Sequence, residues 1–140
     1  MTDNKVFDLG FPKTGMTSLE SALEILGYDV CKEDFQFNYT NYLMALCVNE
    51  DFEEIVRISR YWQAFADLPW GGTNLHKTLV HVYPGAKFIV TTRNPDDWYG
   101  SLERMLTKLD RNLDTCIDTM HRNGRFGFVY YLKFFLRSKF

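Results

Sequence analysis

The stretch Gly10-Phe11-Pro12-Lys13-Thr14-Gly15-Met16-Thr17-Ser18 carries a lysine, three hydroxyl side chains and two glycines within nine residues. A short apolar run, Val6-Phe7-Asp8-Leu9, precedes it. A helical pattern of Leu19, Ala22, Leu23, Ile25 and Leu26 follows it. Strand, glycine loop and helix in this order form the context in which such a loop has chemical meaning. The loop's backbone N–H groups turn inward as an anion nest, and the helix N-terminus adds partial positive charge. Lys13 supplies a full one. The expected guest is a phosphate or a sulfate ester.

A Walker A loop has the form G-x-x-x-x-G-K-[ST]. Here both glycines and Thr17 fit, but Met16 stands where that lysine belongs, and the only loop lysine is Lys13. An anion cradle is one reading and an ordinary strand-to-helix turn the other. A second group is Arg93-Asn94-Pro95-Asp96-Asp97-Trp98-Tyr99-Gly100-Ser101. Arg93 ends a strand-like run, and a helix opening near Pro95 carries Ser101 about two turns along. An Arg fork and a hydroxyl suit a phosphate dianion. Alternatively Arg93 pairs with Asp96 or Asp97, and Ser101 faces water. A third residue, Asp67, also ends a strand-like run, just before Pro69. There it serves as a general base, as a Mg²⁺ carboxylate, or as a turn former.

The elements that must position these groups can be read in order. Residues 5–9 form a buried strand. Thr17 or Ser18 caps a helix that ends near Gly27. Residues 28–31 make a short strand. Helices follow over 38–47, with Tyr42, Leu43, Leu46 and Cys47 on one side, and over 51–59, with Phe52, Ile55 and Val56 inward. Residues 63–67 are a strand. Residues 74–83 are a helix with Leu75, Leu79, Val80 and Tyr83 inward, broken by Pro84-Gly85. Residues 86–92 are the strongest strand pattern in the chain, β-branched and apolar. A helix runs from about Pro95 to Thr107, a polar connector from 111 to 122, and an aromatic, basic segment from Phe126 to Phe140.

This alternation predicts an α/β fold, a three-layer parallel sheet with helices on both faces, like the P-loop NTPases. Such sheets bind ligands beyond the C-terminal ends of their strands. The loops at 10–18, 67–72 and 93–101 should therefore meet.

Composition bounds the classes. At 140 residues, 46% apolar and 24% charged, the chain fits one domain with a real core. A net charge of −2 offers no global field for nucleic acid, so an anion site must be local. Three cysteines, Cys31, Cys47 and Cys116, show neither metal spacing nor a disulfide framework. They fit a reducing compartment. With no signal-peptide pattern at the start and no apolar run near the roughly 20 residues of a membrane span, the expected location is cytoplasmic. His76 and His81 are five apart, without an accompanying ligand set, so no metal is expected; His76 could line an acceptor pocket. The aromatic segment 126–140 reads as a core-covering or dimer-forming helix, or as an interfacial membrane helix.

Together, the loop around Lys13 and the run Lys87-Phe-Ile-Val-Thr-Thr-Arg93-Asn94-Pro95-Asp-Asp-Trp-Tyr-Gly-Ser101 resemble the PAPS-dependent sulfotransferase superfamily. Its donor is 3′-phosphoadenosine-5′-phosphosulfate and its product 3′,5′-ADP. The first motif is similar to the family's P-K-[ST]-G-T-[ST] loop. The second is similar to its R-N-P-x-D-x-x-x-S element. The resemblance covers residues 5 to about 103.

The resemblance implies that Lys13 stabilises the leaving phosphate and that Thr14, Gly15, Thr17 and Ser18 bind the 5′-phosphate. Arg93 and Ser101 would grip the 3′-phosphate. Asp67, in Ala66-Asp67-Leu68-Pro69, occupies the place of the family's Thr-His-Leu-Pro segment and becomes the candidate base. The acceptor would be a hydroxyl or amine on a small molecule or a glycan, with no metal, no nucleic acid and no membrane partner. A homodimer through the C-terminal aromatic helix is a further expectation.

Three departures stand out. Met16 replaces a hydroxyl residue. Ser18 replaces the tryptophan that stacks on adenine in cytosolic members, so another aromatic, with Trp70 and Trp98 as candidates, takes that place or none does. The family also continues with further helices and a late basic segment. Arg122-Asn123-Gly124-Arg125 only partly resembles that segment, so the chain reads as a short or truncated member. Two other classes compete: a P-loop kinase or NTPase with Asp67 on Mg²⁺, and a non-catalytic nucleotide-binding relative.

Overall fold

Strand β1 (Val6–Asp8) forms the middle of the protein, and every residue of it is buried. A computed structural model describes residues 4–32 and 36–107 of the chain. From β1 the chain runs through α1 (Met16–Ile25), β2 (Val30–Cys31), α2 (Gln36–Val48) and α3 (Phe52–Ser59). It continues through β3 (Ala64–Phe65), α4 (His76–Val82), β4 (Lys87–Ile89) and α5 (Pro95–Thr107). The expected alternation of strands and helices is reproduced element for element. The connector over 111–122 and the aromatic segment over 126–140 lie outside the described residues.

The four strands form one sheet in the order β2-β3-β1-β4. All pairs are parallel, with Val6 opposite Ala64 and Lys87, and Val30 opposite Ala64. The chain leaves β1 toward the β2 edge and leaves β3 toward the β4 edge. Loops that part in this way open a crevice beyond the strand ends.

Alternation along each strand divides the core. Phe7, Cys31 and Phe65 point to one face, where Leu43, Cys47, Ile55, Ile58, Leu75 and Leu79 from α2, α3 and the α4 region cover them. Val6, Val30 and Ala64 point to the other face, against Leu23 and Leu19 of α1. Successive strand residues face opposite ways, so a parallel strand buried on both sides is apolar along most of its length, and in β1 only Asp8 at its end departs from this. The Phe7 ring lies between Phe65, 4.7 Å away, and Phe88, 5.6 Å away, both stacked on it. Three adjacent strands thus carry one aromatic layer.

The helix ends follow local chemistry. Gly27 takes φ 86 after α1. Its N–H donates to Glu24 O, and the Tyr28 N–H donates to Leu23 O. This is the Schellman arrangement that a C′ glycine permits. At the start of α1 the expected cap is corrected. Gly15, at φ 100, holds the N-cap position with no side-chain bond, and Thr17 and Ser18 fall inside the first turn.

Three packing expectations also change. Tyr42 and Val80 are exposed, because one side of each helix suffices to cover the sheet. The strand expected over 86–92 spans only Lys87–Ile89 and is an edge strand, partly exposed. Beyond Ile89 the chain is drawn off the sheet, as Thr91 turns its N–H and hydroxyl onto Asp8.

At the opposite end of β1, Lys5 is almost fully buried. Its ammonium donates to Ser59 O at 2.7 Å and to Trp62 O at 2.5 Å, at the end of α3, and lies 5.2 Å from the Tyr83 ring centre. A cation at a helix C-terminus is favourable, although burial pushes its pKa down. Among the described residues no helix is long and apolar enough to cross a membrane.

Candidate anion site at the strand ends

Asp8 ends β1 with its carboxylate fully buried. Oδ1 accepts the Gly10 N–H at 2.9 Å and the Thr91 N–H at 3.2 Å. The Thr91 hydroxyl donates to the same carboxylate at 3.0 Å. That hydroxyl also lies 2.7 Å from Thr14 Oγ1, which is itself 2.6 Å from Phe11 O. A carboxylate only accepts hydrogen bonds, so the Thr91 proton points to Asp8 and the Thr14 proton to Thr91 or Phe11. The chain of bonds staples the loop after β1 to the end of β4.

Two glycines let the loops close together. A Cβ on Gly10 would run into the Thr91 hydroxyl and would stand 2.8 Å from Thr14 Oγ1. A Cβ on Gly71 would run into Gly10 O and stand 2.8 Å from Asp8 O. The Gly72 N–H donates to Leu9 O, and the Gly71 N–H to Asp67 O. The 67–72 loop therefore lies directly against the loop after β1.

The third loop arrives from α5. Asn94 caps that helix, its Oδ1 accepting the Asp96 N–H at 3.0 Å, and Pro95 is its first residue. The Trp98 indole N–H donates to Pro12 O at 2.8 Å, with the ring 6.2 Å from Phe11. The Arg93 guanidinium donates to Lys13 O at 3.3 Å. The three loops expected to meet do meet.

Lys13 and Arg93 are both exposed at this junction, and α1 begins beside them with no acidic residue in its first turn. The helix end is thus free to favour an outside anion. The start of α5 differs, since Asp96 and Asp97 fill its first turn. The ion pair between Arg93 and those aspartates, open from spacing, does not form among the described residues.

Gly15, Thr17 and Ser18 line the exposed start of α1. Thr14 joins them through its backbone, while its hydroxyl is held by the protein. Ser101 sits half-buried in α5, with no described hydrogen bond to the loop. Asp67 takes φ 64 at the mouth of its own loop, its Oδ1 accepting the Leu68 N–H at 2.8 Å. Trp70 is corrected as an adenine platform, because it is 3% exposed and packed 4.5 Å from Phe65. His76 hydrogen-bonds Thr73 O through Nδ1 at 2.8 Å. Among the described residues no group of three or more His, Cys, Asp or Glu side chains is gathered as metal ligands would be.

Sequence reasoning missed Asp8 and Thr91. The signal for Asp8 is a carboxylate ending an otherwise apolar strand directly before a glycine. Nothing local marks Thr91, whose role depends on a residue 83 positions away.

A comparison with curated proteins finds no match. The family model described as a sulfotransferase domain matches residues 5–135, from the buried lysine before β1 to well beyond α5. That match covers most of the chain, and with the parallel α/β sheet described above the chain belongs to the sulfotransferase domain family.

Proposed function

We propose that this protein transfers a sulfuryl group from PAPS to a hydroxyl or amine acceptor, a small molecule or a glycan, in the cytoplasm. One observation carries the reading: Lys13 and Arg93 come from separate motifs yet stand on one loop junction, joined through Lys13 O. A donor with two anionic ends calls for two such cations.

The residues present fit that donor. The first-turn amides of α1, Lys13 and Arg93 form a donor set without a competing first-turn carboxylate. When bound, PAPS supplies an electrophilic sulfur with a phosphate leaving group. Lys13 would hold the charge that develops on the leaving oxygen. The amides of Thr14, Gly15, Thr17 and Ser18 would hold the 5′-phosphate, and Arg93 with Ser101 the 3′-phosphate. Asp67 would take the acceptor's proton as the new oxygen–sulfur or nitrogen–sulfur bond forms. Held charges and orientation supply most of such catalysis.

The kinase or NTPase reading loses its cation. Met16, in the Walker lysine position, is 6% exposed and turned into the protein. Calorimetry with 3′,5′-ADP against ATP·Mg²⁺ tests the choice. We expect 3′,5′-ADP to bind more tightly, and preference for ATP·Mg²⁺ would overturn it.

A further inference from the structure

Lys13 holds φ 71, a left-handed conformation that a side-chain-bearing residue leaves unless it is held there. The two peptide planes flanking its Cα carry the carbonyls of Pro12 and Lys13. The Trp98 indole N–H binds the first of these carbonyls and the Arg93 guanidinium the second. Fixing both planes fixes both dihedrals of the residue between them, and with them the direction of its Cβ. Trp98 lies on α5 and Arg93 in the loop just before it, so both donors reach Lys13 from one continuous segment.

We propose that Trp98 is a positioning residue for Lys13, and that with Arg93 it forms a clamp holding the lysine in its left-handed conformation toward the leaving oxygen. The functional half of this inference rests on the reading of Lys13 given above. The clamp itself belongs to the free protein. It gives Arg93 a second task beyond anion binding and gives Trp98, which follows no acid–base logic, a stated one. Phe11 backs the indole at 6.2 Å, so the ring has a packing role that phenylalanine can keep.

Trp98→Phe retains an aromatic ring to face Phe11 while removing the N–H donor together with part of the indole. In the free protein we expect the backbone order parameters of Lys13 and Thr14 to fall below about 0.6, with those of Phe7 and Phe88 staying near 0.85. Unchanged loop order, or an equal fall through β1 and β4, would overturn the clamp. Arg93→Gln, at an exposed position, serves as a second variant whose folding is not in question, and it should loosen the same residues.

The link to function is read by 3′,5′-ADP calorimetry. Trp98→Phe should weaken binding about five-fold, the scale of one hydrogen bond. In a Lys13→Ala background the same change should have no further effect. A full five-fold loss persisting there would show that Trp98 does not act through Lys13. If the unaltered protein does not bind 3′,5′-ADP, the donor reading falls, and the order parameters decide the clamp.

Discussion

Arg93 combines a backbone hydrogen-bond partner, Lys13 O, with exposure to solvent. Replacing it with alanine should weaken 3′,5′-ADP far more than 5′-AMP, which lacks the 3′-phosphate. Calorimetry with both nucleotides checks this, and equal loss for both would remove Arg93 from the 3′-phosphate. Lys13→Ala should abolish sulfuryl transfer in a radiolabelled-donor assay. Gly10 makes a different kind of demand. A methyl group there must displace the Thr91 hydroxyl and the bond to Asp8 behind it. Overpacking of this kind costs about 1–3 kcal/mol, so Gly10→Ala should lower the urea midpoint and loosen the loop together. At this scale the meeting of Lys13 and Arg93 in the candidate site was legible, because each stands out by its charge and by a proline or glycine close by in sequence. Thr14 was legible only in part. Its type suggests a phosphate hydroxyl contact, whereas its proton is turned to Thr91 or Phe11.

Among the elements, the strands carry the buried centre of the core and the helix starts border the candidate site. Phe7 is fully buried, with stacked rings on both sides. Phe7→Ala should cost about 3–5 kcal/mol, measured by urea denaturation, whereas Val80→Ala on the exposed side of α4 should change little. Helix and strand identities were readable from periodicity and from Gly and Pro punctuation, and Gly27 and Pro95 fall where their backbone preferences put them. Strand lengths were not readable. The run over 86–92 promised seven residues of strand, but β4 keeps only Lys87–Ile89 because Thr91 is claimed by Asp8. Nor could composition place an edge. The most strand-like segment lies at the rim of the sheet, and β1, which ends in a charged residue, lies inside it.

For the whole molecule, two buried groups on the sheet set opposite responses to pH. Burial pushes the Cys31 thiol up from 9.0 to about 12, with Glu20 and Asp29 adding to the rise. An unfolded chain loses that proton near 9.0, whereas the folded one keeps it. The stability is fully present below pH 9.0 and is lost as pH rises toward about 12. Against a Cys31→Ala variant, the unaltered protein should therefore lose stability between pH 9.0 and pH 12, by at most ~1.4 kcal/mol per pH unit. Thermal unfolding across that range checks it. Lys5 acts in the other sense. Burial lowers its pKa below 10.5, so the unfolded chain holds the proton more tightly, and stability rises with pH until 10.5 is reached.

The strand order has a temporal consequence. β1 leaves the ribosome well before either of the two strands that flank it in the sheet. The carboxylate that shapes the anion loop waits for a threonine 83 residues downstream. During synthesis Lys13 is therefore an ordinary tethered cation. It joins the proposed site in the same late event that closes the sheet, so on the reading proposed above nascent chains too short to include Thr91 should fail to retain 3′,5′-ADP.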